Sequence, residues 1–300
     1  MYTEITANKR KTWLLLFLFT GLTIGLFLLL GASLGLGFYE SLIGGTVFSF
    51  IYGMISYYLG DKATLATAGA KAISKRDHFE LYTTVENLAI TAGIPTPKIY
   101  LINDESPNAF ATGRDPEHAS VAITTGLLNK LSKQELQGVM AHEMSHVKNY
   151  DIRVMTIVVV LIGLIVLMSD ILLRAGLYGR GGRDNKGQAA VIFLVVGLVA
   201  AILAPIIAQI IKLAVSRSRE YLADSSGALL TRYPAGLASA LEKIRDHGGK
   251  MRRANHATAH LYISSPFGSK VGGNVGFFNR LFATHPPINE RIAKLRKMAS

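Results

Sequence analysis

The sequence has no cysteine among its 300 residues. Disulfides and thiolate metal ligands are therefore excluded, and any metal site has to be built from histidines and carboxylates. The absence also suits a domain facing the cytosol. Charge is scarce as well: Asp, Glu, Lys and Arg make up 17% of the residues, half are hydrophobic, and the mean hydropathy is +0.31. That is the balance of a membrane protein. The net charge of +12 comes with no RNP-type or finger motif, so nucleic acid is not the expected partner. Basic residues beside apolar spans read instead as topology signals and as contacts with anionic membrane lipid. No internal repeat is evident.

Two apolar runs open the chain. Lys9, Arg10 and Lys11 precede a charge-free run over 12–39, longer than the roughly 20 residues a helix needs to cross a bilayer. A cleaved signal peptide is the competing reading, but the run exceeds an apolar signal core of about 7–15 residues and a second run, 41–60, follows it. The connection between them holds no Lys or Arg, whereas Lys62, Lys71, Lys75 and Arg76 follow the second. The positive-inside rule then places the N-terminus and everything after Asp61 in the cytoplasm.

From Arg76 the pattern is that of a soluble domain. Phe79, Tyr82, Val85, Leu88 and Ala89 form a helical stripe ending near Gly93 and Pro95. Short strands are expected at 98–102, 109–112 and 120–124. Two further apolar runs, 154–169 and 187–211, form either a transmembrane hairpin or one that dips into the membrane, with Asp170 and a basic, Gly-rich connection between them. A Gly-rich stretch over 264–279 reads as a loop, and a basic helix is expected from Ile288 to Lys297. His247, His256 and His260 read as surface loop residues.

The stretch from Ala141 to Asp151, AHEMSHVKNYD, carries the chemistry. His142 and His146 are four apart, so a helix puts both imidazoles on one face, with Glu143 beside the first. Ser132 and Glu135 form a capping box, and Leu136, Val139, Met140, Met144 and Val147 supply an apolar face, so the motif falls inside a helix. Zinc accepts imidazole nitrogen and lowers the pKa of a water in its open position to about 7. Glu143 can then take a proton and pass it to a leaving amine. Further along, SRSREYLAD at 216–224 puts Glu220 and Asp224 on one helical face. Glu220 can complete a His₂Glu zinc site, and Asp224 can orient a ligand histidine. An ordinary polar helix with both acids solvated is the alternative at this point.

Taken together, HEMSHVKNYD, an apolar hairpin, SRSREYLAD and THPPINERI at 284–292 resemble, in that order, the HtpX family of membrane zinc proteases, which is grouped with the CAAX prenyl proteases, and NAFATG at 108–113 fits the same family. The resemblance covers nearly the whole chain. It implies one Zn²⁺ per chain on His142, His146 and Glu220, Glu143 as the catalytic base, and Asp224 orienting a ligand histidine. It also implies an edge strand at NAFATG, where Asn108, Ala109 and Phe110 would bind an extended substrate by β-addition. His285 would stabilise the oxyanion. Arg291 could pair with a carboxylate near the site or be a solvated helix charge.

The expected fold is α+β and mainly α: four apolar membrane helices with a gluzincin-like cytoplasmic zinc protease domain and a small antiparallel sheet. Residues 1–60 would form two transmembrane helices, and 61–153 the first part of the catalytic domain. Residues 154–212 would form the helical hairpin, and 213–300 the second part. The implied function is proteolytic quality control of misfolded or damaged membrane proteins, stress-linked, at the bacterial inner membrane. Prenyl-peptide processing, a transporter with a structural metal, and a protease-derived scaffold are the alternatives.

Overall fold

The computed structural model describes residues 2–178, 217–255, 257–268 and 286–299. His285, His256, the apolar run 187–211 and most of the Gly-rich stretch lie outside the described residues. Two long helices, α1 (Tyr2–Leu34) and α2 (Phe38–Ala68), form an antiparallel hairpin. They are the two described helices long and apolar enough to cross a membrane. Their packing is the inverse of a soluble hairpin. Ser41, Gly45, Ser49, Ser56, Gly60 and Thr64 recur at multiples of a helical turn and are buried. Phe17, Phe38, Phe50, Ile43 and Ile51 point outward, Phe17 being 76% exposed. Small residues inside let backbones approach, and large apolar ones outside suit lipid.

The rest of the described chain is built around α5 (Lys133–Lys148), which is buried from Leu136 to Val147 except for the half-buried Gln137. Its start is fixed locally: the Ser132 N–H donates to Glu135 Oε2 at 2.6 Å and the Ser132 hydroxyl accepts from Glu135 N–H, as the capping box predicts. Helix α3 (Phe79–Ala92) packs Leu81, Val85, Leu88 and Ala89 against it. Tyr82 is partly buried, while Phe79 is exposed, so Leu81 takes the place the stripe gave to Phe79. Gly93, at φ +68°, ends α3 in the left-handed conformation.

A four-stranded sheet covers one side. It comprises β1 (Ala70–Ala72), β2 (Lys98–Ile102), β3 (Ala109–Gly113) and β4 (Ala119–Thr124), in the order β1-β2-β4-β3. This corrects the expected antiparallel sheet: β2 and β4 run parallel, with Ile99 opposite Val121, and the other two pairings are antiparallel. The hairpin formed by β3 and β4 presents β4 to β2, so β3 is placed on the edge. After a short α4 (Thr125–Lys130) and α5, the chain enters α6 (Asp151–Tyr178). The first turns of α6 are buried by α1, α2 and β3: Val154, Ile157, Val158 and Leu161 pack on Leu15 and Phe19. Helices α7 (Arg217–Thr231), α8 (Pro234–His247) and α9 (Ile288–Ala299) close the domain on the other side of α5.

Candidate metal centre

Helix α7 lies along α5 with Glu220, Ala223, Asp224, Gly227 and Ala228 buried, a stripe at three- and four-residue spacing. That stripe brings Glu220 to the two histidines of α5. His142 and His146 face each other, Nε2 to Nε2, at 3.2 Å. Glu220 lies 3.5 Å from His146 Nε2 and 3.9 Å from His142 Nε2. All three side chains are buried, and their candidate ligand atoms lie within 4.8 Å of one another.

The outer hydrogen bonds decide what this triad can do. His142 Nδ1 lies 3.0 Å from Asp224 Oδ1, and His146 Nδ1 lies 3.0 Å from Asp151 Oδ2. A carboxylate only accepts, so each Nδ1 carries a proton and each Nε2 faces inward, where it offers a lone pair once it gives up its own proton, as metal binding requires. Two imidazole lone pairs and a carboxylate converging on one point call for a cation. The nitrogen and oxygen donor set fits Zn²⁺, with histidine orientation fixed from outside.

Asp151 went unassigned in the sequence, although it stands in the same stretch as His146. Its position depends on Tyr150, which has φ +61° and turns the chain sharply from α5 into α6. Few non-glycine residues adopt that conformation. Arg291 is the second residue whose place the sequence left open. It is 1% exposed and donates to both oxygens of Asp224, from Nε at 2.9 Å and Nη2 at 2.7 Å, with Nη1 on the Ile263 carbonyl at 3.1 Å.

The electrostatics follow from burial and these pairings. Burial would raise Asp224, but Arg291 and His142 outweigh it and hold the acid at about 2. Burial pushes His142 down, and Arg291 adds to that against the opposing pull of Asp224. Burial would lower His146 too, but Asp151 and Glu220 bring it up to about 9. Burial pushes Glu143 up to about 7, where a carboxyl can both take and give a proton near neutral pH. The Ala111 backbone N–H of the edge strand faces the Glu143 carboxylate closely enough to oppose that rise.

The remaining predicted residues fall as follows. Ala109 and Phe110 begin β3, with the Phe110 ring buried against Tyr262 at a centroid distance of 5.0 Å. The Asn108 amide is engaged by the chain itself: Nδ2 donates to the Ser264 carbonyl at 2.9 Å and Oδ1 accepts from Ser264 N–H at 3.3 Å. Ile263 N–H donates to the Ala109 carbonyl at 3.0 Å. His260 is not a surface residue. It is buried with Nε2 3.2 Å from the Met155 carbonyl, because Leu261, Tyr262 and Ile263 draw its segment into the core. His247 ends α8 and is exposed. A second acid–histidine group, Asp115, Glu117 and His118, is largely exposed; Asp115 already caps the turn over Pro116–His118 and pairs with His118.

Comparison with known proteins agrees with this geometry. Peptidase family M48 matches residues 75–299. A "Protease HtpX homolog" from Tropheryma whipplei is 47% identical over 300 residues, covering all of this chain and 99% of its own. Another from Caldanaerobacter subterraneus is 44% identical over 303 residues, covering 99% and 98%. Among solved structures, that of S. mikatae Ste24p shares the fold at 20% identity, with a TM-score of 0.52 over 98% of this chain and 67% of that one.

Proposed function

Because the chain belongs to peptidase family M48 and is a metalloprotease of the HtpX type, we propose that it is a zinc-dependent membrane endopeptidase that cleaves damaged membrane proteins on the cytoplasmic side. The observation that carries this reading is the convergence of His142 Nε2, His146 Nε2 and Glu220 beside the buried Glu143, whose carboxyl is pushed up to about 7 by burial. His142, His146 and Glu220 would hold the zinc. When bound, it supplies a Lewis acid that polarises a peptide carbonyl and acidifies water. Glu143 takes a proton on its carboxylate and returns it to the leaving amine. Asp224 and Asp151 hold the ligand rings in one tautomer and orientation.

Substrate would bind as an extended strand against β3. The Ala111 N–H already reaches Glu143, so a peptide on that edge passes the base. Ala109 and Phe110 would hold the strand in place beside the substrate, since the Ala109 carbonyl already accepts from Ile263 N–H and Phe110 is paired with Ala122 of β4. Asn108, whose amide is engaged at both ends by Ser264, would act on the substrate by holding Ser264 in place beside β3. Backbone pairing would give a loose sequence preference. His285 is proposed to stabilise the oxyanion.

Two features support membrane substrates and a cytoplasmic site. Helix α6 leaves the active-site helix after two residues and packs directly on α1 and α2. Its 28 residues, about 42 Å at 1.5 Å each, are long enough to form a third span, with 187–211 as the fourth. Lys9, on the basic flank of the first span, lies over the Tyr150 ring at 5.1 Å, so the catalytic helix ends on the positively charged side of the membrane helices. We read this side as the cytoplasmic face of a bacterial inner membrane and the role as stress-linked quality control. The test is digestion of an unfolded membrane protein by the purified, detergent-solubilised chain. Cleavage should need zinc, stop with chelator and be absent in Glu143→Gln, which should keep its zinc. Chelator-resistant cleavage, or zinc loss in Glu143→Gln, would overturn the assignment.

A further inference from the structure

Asn8 stands on α1 just before Lys9, Arg10 and Lys11, yet its side chain is 1% exposed. A buried amide needs partners for both its ends. Nδ2 donates to the Asn149 carbonyl at 2.8 Å and to Asp151 Oδ1 at 2.7 Å. Oδ1 accepts from Arg219 Nη1 at 3.2 Å. The reversed amide would set its oxygen against two acceptors, so the partners fix its orientation. These partners are the residue that caps α5, the first residue of α6, and the residue of α7 next to Glu220.

Asp151 is the hub of this arrangement. Its Oδ2 accepts from His146, and its Oδ1 accepts from both Asn8 and Arg219, the latter at 3.2 Å. The Asn8 amide is thus one carboxylate away from a histidine of the metal triad. A helix serving only as a membrane anchor needs no buried amide at this point, where an apolar residue would pack as well.

We propose that Asn8 is a positioning residue of the metal centre: from the first membrane helix it holds Asp151, and through it the His146 ring, in register with the helix that carries Glu220. The proposal rests on the reading of His142, His146 and Glu220 as zinc ligands. It makes the start of α1 part of the site.

The test is zinc release from the full-length, zinc-loaded chain to a chromogenic chelator, compared between wild type, Asn8→Leu and Leu15→Ala. Leu15 packs in an apolar cluster on α6, about two turns along α1 from Asn8, so its truncation loosens α1 and leaves the hydrogen bonds in place. Asn8→Leu should release zinc about tenfold faster, the low end of the effect of losing an outer hydrogen-bond partner, and Leu15→Ala should stay within about twofold of wild type. Equal release from wild type and Asn8→Leu overturns the proposal, as does equal acceleration in both variants. Wild-type chain that takes up no zinc overturns the metal-centre reading itself. Should Asn8→Leu fail to fold, Asn8→Asp decides. It sets two carboxylates face to face and should release zinc faster still, and Asn8→Asp/Asp151→Asn should recover part of the loss by restoring one donor and one acceptor. Additive effects of the two substitutions would remove the coupling and the proposal with it.

Discussion

Arg291 and Asp224 form a buried two-point fork, Nε to Oδ2 at 2.9 Å and Nη2 to Oδ1 at 2.7 Å. The same Oδ1 accepts from His142, so the arginine stands behind a carboxylate that stands behind a histidine of the triad. Arg291→Lys keeps the charge but cannot reproduce the planar fork. Arg291→Met leaves Asp224 buried without its cation, at a cost of about 3–5 kcal/mol. Thermal melting with metal analysis should rank the chains wild type, Lys variant, Met variant. A Lys variant equal to wild type in both readouts would show that charge alone is required.

Asp224→Asn tests the other half of the fork. The shape is kept, but the hydrogen bond to His142 weakens and Arg291 faces a neutral amide. Zinc should be released to a chelator about 10–100-fold faster, with activity partly restored by excess zinc. Unchanged zinc affinity and turnover would remove Asp224 from the centre.

How much of this was legible in the sequence depends on how local each cause is. The active-site helix was placed correctly because its start is written in four adjacent residues, Ser132 to Glu135, and its apolar face in the next twelve. Glu220 and Asp224 were legible as a pair because helical spacing puts them on one face. The parallel pairing of β2 with β4 was not. Periodicity shows which residues extend, but not which strand lies beside which, and the three-residue β1 has too few positions to show a pattern. Asp151 needed the left-handed turn at Tyr150, which no residue type announces. Arg291 stayed undecided between a paired and a solvated charge, and His260 read as a surface residue, for one reason: each is polar and buried only because its neighbours, Ile292 and Leu295 or Leu261 and Tyr262, enter the core.

Acid should weaken the hold of α8 on α5. Glu135 accepts from Lys243 Nζ at 2.7 Å and from the Ser239 hydroxyl at 2.6 Å, besides its capping bond to Ser132. Burial would raise this acid, but these donors outweigh it and hold it at about 2, below the ordinary 4.5. A depressed folded pKa gives stability that is complete above the unfolded value and is lost as pH falls through the folded one. Lys243 is partly exposed, so the contribution is about 1–2 kcal/mol after screening. Wild type should therefore melt above Glu135→Gln at pH 7, and the gap should close between about pH 4.5 and pH 2. A gap independent of pH would show that the ionised carboxylate is not its source.

Gly227 sits on α7 seven residues beyond Glu220, on the same buried face. A Cβ there would lie 3.0 Å from His142 N and 3.2 Å from the Ala141 carbonyl carbon and His142 Cα. These are backbone atoms of α5, which no side-chain rotation can move away. Two effects oppose one another in Gly227→Ala. Alanine favours the helix by about 1 kcal/mol over glycine. The contact forces the two helices apart by a few tenths of an ångström at the level of His142. That separation carries Glu220 away from both histidines, and a metal site depends steeply on such distances. Gly227→Ala should therefore melt within about 1 kcal/mol of wild type while losing zinc affinity by roughly tenfold, comparable to the loss of an outer hydrogen-bond partner. Gly227→Val, larger and β-branched, should lose both stability and zinc. Chelator competition and thermal melting on the three chains separate the two effects. An alanine variant that melts higher and holds zinc as wild type does would show slack between α5 and α7, and the close approach at Gly227 would then have no part in setting the triad.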